Sequence, residues 1–409
     1  MRTSKQIQSL LVVGVDCSAL AKSTYRAGYT VFGADYFGDI DLRSVCKENL
    51  SIQKQEAGKS CGILGTGFSP DAILALVEKL QEKHELDGCL LASGMEDSHD
   101  ILAKLHRKTP IIGNNPAIIS KVRNRIEFFK ELRRLGLTYP ETEFVQSVED
   151  AKRVAKDLRY PIVVKPPTGF GGSGIRKLTD KRGLRGTSER IIRDYGGVLI
   201  QEFISGLPAS ISFIASQEST AVLTINEQLY GLSEAGQKEE FGYCGNVVPA
   251  DLGLSYGHVK SVCEDIVGKI GSRFHLTGSN GVDVVLSEDL EPYVLEVNPR
   301  FQGTLECVER VLGINLVEAH LKACIQKTLP SFQRSAIEKF CTRLILYAHH
   351  RSSTPALQRP FVADTPLPGV VIEAGEPLCS VISQERTRAE VLQRSKSFAA
   401  QVYDLLTPA

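Results

Sequence analysis

The sequence predicts an α/β domain followed by an α+β unit and a small C-terminal lobe. Three observations lead there. Apolar strand-like runs alternate with amphipathic helical stretches from Ser9 to about Asn115. Beyond Ile162, apolar runs are separated by polar turns or a glycine-rich loop, as in antiparallel pairs. Past Ser331 the composition shifts to short strand-like runs and a Pro-, Ser- and Thr-rich stretch. Hydrophobic residues make up 42% and charged residues 23% of the 409, the balance of a globular protein.

Leu10 to Val13 reads as a buried strand, and a helix from about Ser18 to Ala27 follows with Ser18 as N-cap. Thr30 to Ala34 is the next strand, Ala72 to Lys83 an amphipathic helix, and Gly88 to Ala92 and Pro110 to Ile112 further strands. Alternating β and α predicts a parallel sheet with helices on its faces. Gly14 and Asp35 have dinucleotide-site spacing, but the loop Gly14-Val15-Asp16-Cys17 lacks the further glycines that let a pyrophosphate approach. The loop Ser93 to Asp97 follows a strand at the expected carboxyl edge of the sheet, where ligands bind, and is a candidate substrate contact. Lys121 to Leu135 reads as one basic, aromatic helix ended by Gly136. Ile162 to Lys165, Val198 to Phe203, Ala209 to Ile214 and Thr220 to Ile225 are strands; Ser205 to Pro208 is a turn and Leu316 to Ile325 a helix. In the lobe, Cys341 to Ala348 is strand-like, Arg351 to Pro368 a loop, Val370 to Ile382 carries short strands, and Arg388 to Leu405 is the last helix. The expected domains are 1–115, 116–330 with a glycine-rich lid subdomain at about 140–205, and 331–409.

Bulk properties narrow the function. Lys+Arg and Asp+Glu both number 48, which argues against a general nucleic-acid or anionic-membrane surface. No apolar run is long enough to span a bilayer, and the short polar stretch Met1 to Gln8 is unlike a signal peptide. The ten cysteines form no Cys-x-x-Cys and read as small buried hydrophobes in a reducing cytoplasm. The eight histidines show no ligand spacing.

Glu-Val-Asn-Pro-Arg at Glu296 to Arg300 carries the most chemistry. It ends the apolar run Tyr293 to Leu295, so Glu296 and Asn298 point the same way. A symmetric hairpin with Val282 to Leu286 sets Asp283 opposite Glu296, about 5 Å away at Cβ. Two carboxylates and an amide oxygen so crowded call for a hard divalent cation, Mg²⁺ or Mn²⁺, and Mg²⁺ usually arrives with nucleotide phosphates. The alternative is a solvent-facing acidic hairpin. Lys165 ends a strand just before a loop with four glycines in six residues, Gly169 to Gly174. Such a backbone can press N–H groups against phosphate oxygens. It joins two strands and lacks the Gly-Lys-Ser/Thr of a P-loop. Gln201-Glu202-Phe203-Ile204 ends another strand, where a carboxylate and free peptide groups can read an adenine edge.

This order of basic helix, strand lysine, glycine loop, Gln-Glu strand end, Asp strand and Glu-x-Asn-Pro-Arg resembles the ATP-grasp superfamily over about Pro116 to Pro330. The N-terminal portion looks like its pre-ATP-grasp domain. Gln201 to Gly206 and Asn298 to Glu306 look closest to the prokaryotic carboxylate–amine ligase group. The resemblance implies that Lys165 contacts the α- and β-phosphates and Gly171, Gly172, Ser173 and Gly174 close over them. Gln201 joins the nucleotide set, Glu202 meets the adenine amino group, and Phe203 and Ile204 pack or bond the ring. Asp283, Glu296 and Asn298 hold Mg²⁺, Arg300 stabilises the transferred phosphoryl group, and Arg125 stands where relatives carry a first ATP lysine. The implied activity is ATP-dependent ligation of a carboxylate, such as an amino acid, to an amine through an acylphosphate. A homodimer is an expected assembly. The rivals are a bicarbonate-using carboxylase and a non-catalytic nucleotide-binding protein. Gln228 to Pro249, with its Phe241 to Asn246 loop, is a second candidate lid and substrate contact.

Overall fold

The computed structural model describes residues 7–330 and 339–409. Residues 1–6 of the expected polar start Met1 to Gln8, and the expected boundary at Ser331, lie outside them. Four strands, β1 (Ser9–Val13), β2 (Thr30–Asp35), β3 (Cys46–Ser51) and β4 (Gly88–Leu91), form a parallel sheet in the order β3-β2-β1-β4. Leu10 to Val13 are fully buried because helices cover both faces of the sheet. Helix Pro70–Gln81 begins with Ser69 accepting from the Ala72 N–H and proline in its first turn.

A second four-stranded sheet, antiparallel, contains β5 (Thr142–Val145), β6 (Ile162–Lys165), β7 (Arg176–Leu178) and β8 (Val198–Glu202), in the order β5-β8-β6-β7. The glycine loop joins β6 to β7, two antiparallel strands, as the sequence predicts.

The central sheet has eight strands. It takes in β9 (Gly206–Ser216), β10 (Thr220–Tyr230), β11 (Tyr243–Val248), β12 (Thr277–Ser287), β13 (Pro292–Asn298), β14 (Phe340–Tyr347) and, after the two-residue β15 (Ser352–Ser353), β16 (Val362–Ala363). The short β17 (Val371–Ile372) precedes β18 (Pro377–Glu385), and β19 (Thr407–Pro408) ends the chain. The order is β13-β12-β9-β10-β11-β14-β18-β16. Residues assigned to a small lobe thus extend this sheet rather than standing apart from it. Ile211, Phe213, Val282 and Val284 on one face pack against the helix Tyr256–Phe274. Strand alternation sends Ser210, Ser212 and Asp283 to the other face, which bears the site.

Several local expectations are corrected. Lys121 to Leu135 is two helices, Pro116–Arg123 and Arg125–Arg134. Asn124 breaks them at φ −69°, ψ 100°, and its side chain caps the second by accepting from the Glu127 N–H. Ser18 is the first helical residue, not the cap; Cys17 holds that place, and the Ser18 hydroxyl donates to Asp39. Pro110 to Ile112 makes only a single bridge, Cys89 to Ile111. Gly206 to Pro208 belong to β9 rather than to a turn. The helix at Leu316 changes to a π turn from Lys322. All ten cysteines are free and most are buried. Among the described residues no helix is long and apolar enough to cross a membrane.

Candidate functional site

The β12–β13 hairpin has the expected register, with Asp283 opposite Glu296 and Gly281 opposite Asn298. A register shift follows Asp283, so the pairing beyond it is displaced by one residue. The Asp283 carboxylate accepts from Gln228 Nε2 at 3.1 Å and Asn298 Nδ2 at 3.0 Å. Burial and the facing Glu296 push its pKa up to about 7. Burial opposes the Glu296 charge too, but the Arg125 and Arg123 guanidiniums and Lys165 outweigh it and hold that carboxyl well below the usual range. Glu296 bonds Arg125 directly and has Arg123 Nη1 at 3.6 Å.

The donor set fits a divalent cation. One of two facing carboxylates is driven toward its neutral form by the other, and a metal between them removes that repulsion. The Asn298 amide turns its nitrogen to Asp283 and its oxygen to Arg300 Nη2, 3.4 Å away. A half-turn of this amide exchanges two atoms of nearly identical shape.

Arg300 is fixed by Glu96 Oε1 at 3.0 Å and the Phe301 carbonyl at 2.9 Å. Arg123 forks onto Asp97 with bonds of 2.7 and 2.9 Å. Glu96 and Asp97 belong to the loop singled out at the edge of the first sheet, so that loop does reach the site, through two arginines. Sequence reasoning does not single out Arg123, Asp97, Glu96 or Gln228 individually. Arg123 sits two residues before Arg125 in the same basic stretch, a signal that was available.

Lys165 Nζ donates to Gln201 Oε1 at 3.0 Å, and Gln201 donates onward to Thr142 Oγ1 at 2.6 Å. Burial, then Arg125, lower Lys165 to about 8. Gln201 therefore orients the lysine rather than joining Glu202, which faces away and accepts from the Glu141 N–H at 3.2 Å. Phe203 lies under the Lys177 ammonium at 3.7 Å, and Ile204 is half-buried beside it.

The glycine loop is drawn toward these groups. The Gly169 N–H donates to Asp97 Oδ2 at 3.2 Å, and the Gly171 carbonyl accepts from the Tyr243 N–H at 3.1 Å. Ser173 is exposed, and Gly174 lies against Pro166. At Gly172, φ is 78° and a Cβ would fall 1.7 Å from the Phe241 carbonyl oxygen. Only glycine allows this approach. The two candidate lids thus meet, and Arg125, Glu296, Asp283, Asn298 and Arg300 form one cluster of facing or bonded side chains, with the Lys165 charge coupled to Arg125 and Glu296.

Residues 122–304 match the ATP-grasp domain family. An uncharacterized protein of Methanocaldococcus jannaschii is 26% identical over 382 residues, covering 93% of this chain and 89% of its own. The chain also matches carbamoyl phosphate synthase large chains and spans less than half the length of each. Among solved structures, a biotin carboxylase–β-γ-ATP complex from Campylobacter jejuni superimposes with a TM-score of 0.75 at 15% identity, covering 98% of this chain and 92% of that one. An L-amino acid ligase from Bacillus licheniformis gives 0.69 at 18% identity and 98% coverage of both. The chain has the ATP-grasp fold, and its residues 122–304 are the part that matches the ATP-grasp domain family.

Proposed function

We propose that the protein joins a carboxylate to an amine with ATP as the driving co-substrate. A carboxylate oxygen attacks the γ-phosphorus and ADP leaves. The amine nitrogen then attacks the acyl carbon, loses a proton, and expels phosphate with the original oxygen. The observation that carries this reading is the convergence of Asp283, Glu296 and Asn298 with Lys165 and Arg300 under the glycine loop. Phosphoryl transfer demands positioning and charge neutralisation, which these groups supply.

On this reading Asp283, Glu296 and Asn298 would hold Mg²⁺, whose chemistry is to neutralise the phosphates. Lys165, steadied by Gln201, meets the α- and β-phosphates. Arg125 adds positive charge beside it, and Arg300 faces the moving phosphoryl group. Gly171 to Gly174 close against the Phe241 segment and exclude the water that would hydrolyse an acylphosphate. Glu202, Phe203 and Ile204 take the adenine. Residues 1–115 would be the pre-ATP-grasp domain, 116–330 the ATP-grasp domain and 331–409 the C-terminal part.

The test is phosphate release from Mg-ATP across pairs of amino acids and small amines, with bicarbonate as a separate arm. ADP formed only with a carboxylate–amine pair supports the ligase. ADP formed with bicarbonate and no amine makes the protein a carboxylase. Nucleotide binding without turnover under any condition leaves a non-catalytic binder.

A further inference from the structure

Next to the Asp283 cluster lies a polar strip that the nucleotide reading does not use. Asp283 on β12 faces Ser210 on β9, and Ser210 faces Asn226 on β10, so all three point to the same side of the sheet. Asn246 on β11 stands opposite Gln228, which itself bonds Asp283, and so joins the same face. Asn226 is 0% and Asn246 1% exposed. The Asn226 amide nitrogen donates to Ser212 Oγ at 2.9 Å and Ser210 Oγ at 3.3 Å. The Ser212 hydroxyl, which accepts from Asn226, in turn donates to Gln302 Oε1 at 2.9 Å. The Asn246 nitrogen donates to the Tyr243 hydroxyl. Both remaining amide oxygens, Asn226 Oδ1 and Asn246 Oδ1, have no partner among the described residues. Buried acceptors are rarely left so, and two on adjacent strands of one site ask for a shared donor.

Their spacing suits a small one. In the β10–β11 register Glu227 faces Val247 and Gln228 faces Asn246; continued by one residue it sets Asn226 opposite Val248, which makes the two asparagines diagonal neighbours, roughly 7–8 Å apart at the backbone. A nitrogen bearing two N–H groups bridges such a gap. Asn226 is two strands from Asp283, roughly 9–10 Å along the sheet. One small acyl group placed at the metal ligands therefore spans from the phosphoryl site to this nitrogen.

The geometry points to Asn226 and Asn246 as the receptors of the amine substrate, a primary amine whose two N–H bonds go to their amide oxygens. The inference rests on the ligase reading and deepens it. Amide oxygens suit a nucleophilic amine. They orient N–H bonds without stabilising the ammonium form as a carboxylate does, so the lone pair stays available for the acyl carbon. Asn226 and Asn246 would then set amine specificity, while nucleotide contacts lie elsewhere.

The test uses Asn226→Leu and Asn246→Leu, which keep shape and remove the acceptor. Circular dichroism checks folding, and Asn→Ser at either site replaces a leucine variant that does not fold. Calorimetry with Mg-ADP reports the nucleotide site. Steady-state ADP release reports KM for each substrate in the best pair from the twenty L-amino acids, ammonium, methylamine and ethanolamine. The expected result is a rise of at least tenfold in KM for the amine in each variant. KM for ATP and for the carboxylate, and the Mg-ADP affinity, stay within about twofold. Unchanged amine KM in a folded, active variant overturns the amine site and leaves the ligase intact. Equal rises in all three KM values also overturn it, because they mark a structural role. Absence of ADP release in the wild type with every pair overturns the ligase reading, and the amine site with it.

Discussion

Gly172→Ala separates steric closure of the two loops from simple backbone strain, because Gly171 offers a matched control. Both glycines have left-handed backbones, φ 66° at Gly171 and 78° at Gly172. Alanine in that region costs about 1–2 kcal/mol at either position. A Cβ at Gly171 meets nothing within 4 Å, whereas one at Gly172 lies 1.7 Å from the Phe241 oxygen and 2.7 Å from its carbon. Backbone atoms cannot rotate aside as a side chain would, so the loops must part. Parting them breaks the Tyr243 N–H to Gly171 bond, about 1 kcal/mol. It also breaks the part-exposed Arg176–Glu239 pair, worth about 0–1 kcal/mol. Gly172→Ala should therefore weaken the closed state by about 1–2 kcal/mol more than Gly171→Ala, a factor of 5–30. The assay is KM for ATP with kcat, alongside Tm. The loops can open while the core stays folded, so Tm should differ little between the two variants. Equal KM values would refute the steric argument, and so would a large Tm loss confined to Gly172→Ala.

The other predictions concern charge. Asp283→Asn and Glu296→Gln should each lower Mg-dependent turnover at least about 100-fold, measured by phosphate release, while Asp283→Asn raises Tm at pH 8 by ending the repulsion with Glu296. Lys165, held near 8, carries its charge below that pH, so Mg-ADP affinity should be flat below about 8 and weaken by up to tenfold per pH unit above it; Lys165→Arg should abolish this slope in calorimetry. His320 accepts from the Ser279 N–H at Nδ1 and contacts the Ile112 carbonyl through Nε2, so burial keeps it neutral down to about 4 against 6.5 when unfolded. The unfolded chain binds the extra proton between those values, and folding should lose up to about 3 kcal/mol as pH falls from 6.5 to 4. Urea titrations of wild type against His320→Gln isolate this loss, since nearby carboxyls contribute equally to both.

The site was legible where local periodicity decides geometry. A polar turn between two apolar runs fixes a hairpin, and period two then fixes the facing of Asp283 and Glu296. The same rule, applied more strictly, separates Gln201 from Glu202: adjacent strand residues point to opposite faces, so only one can meet Lys165. What sequence did not yield depends on long-range docking. Arg300 and Glu96 are 204 residues apart, and no spacing rule links them. The pairing of β14 with β11 is equally nonlocal, because alternation identifies a strand without naming its neighbour. The break at Asn124 was hidden by composition: both flanking stretches are good helix formers, and one asparagine that caps a helix outweighs them.

On the proposed reading, the charges of this cluster favour a metal nucleotide over either ion alone. Arg300 is matched by Glu96, Arg123 by Asp97, and Arg125 by Glu296. Lys165 is left with a neutral hydrogen-bond partner, Gln201, and Asp283 with two, Gln228 and Asn298. These are also the two groups driven toward neutrality, the lysine downward and the aspartate upward. A free phosphate would satisfy the lysine and leave the aspartate repelled by both Glu296 and the ligand. A divalent cation alone would satisfy the aspartate and leave the lysine beside added positive charge. A phosphate chain carrying its own divalent cation answers both at once. The affinity of each component should therefore depend on the other, with Mg²⁺ binding weakly until nucleotide is present.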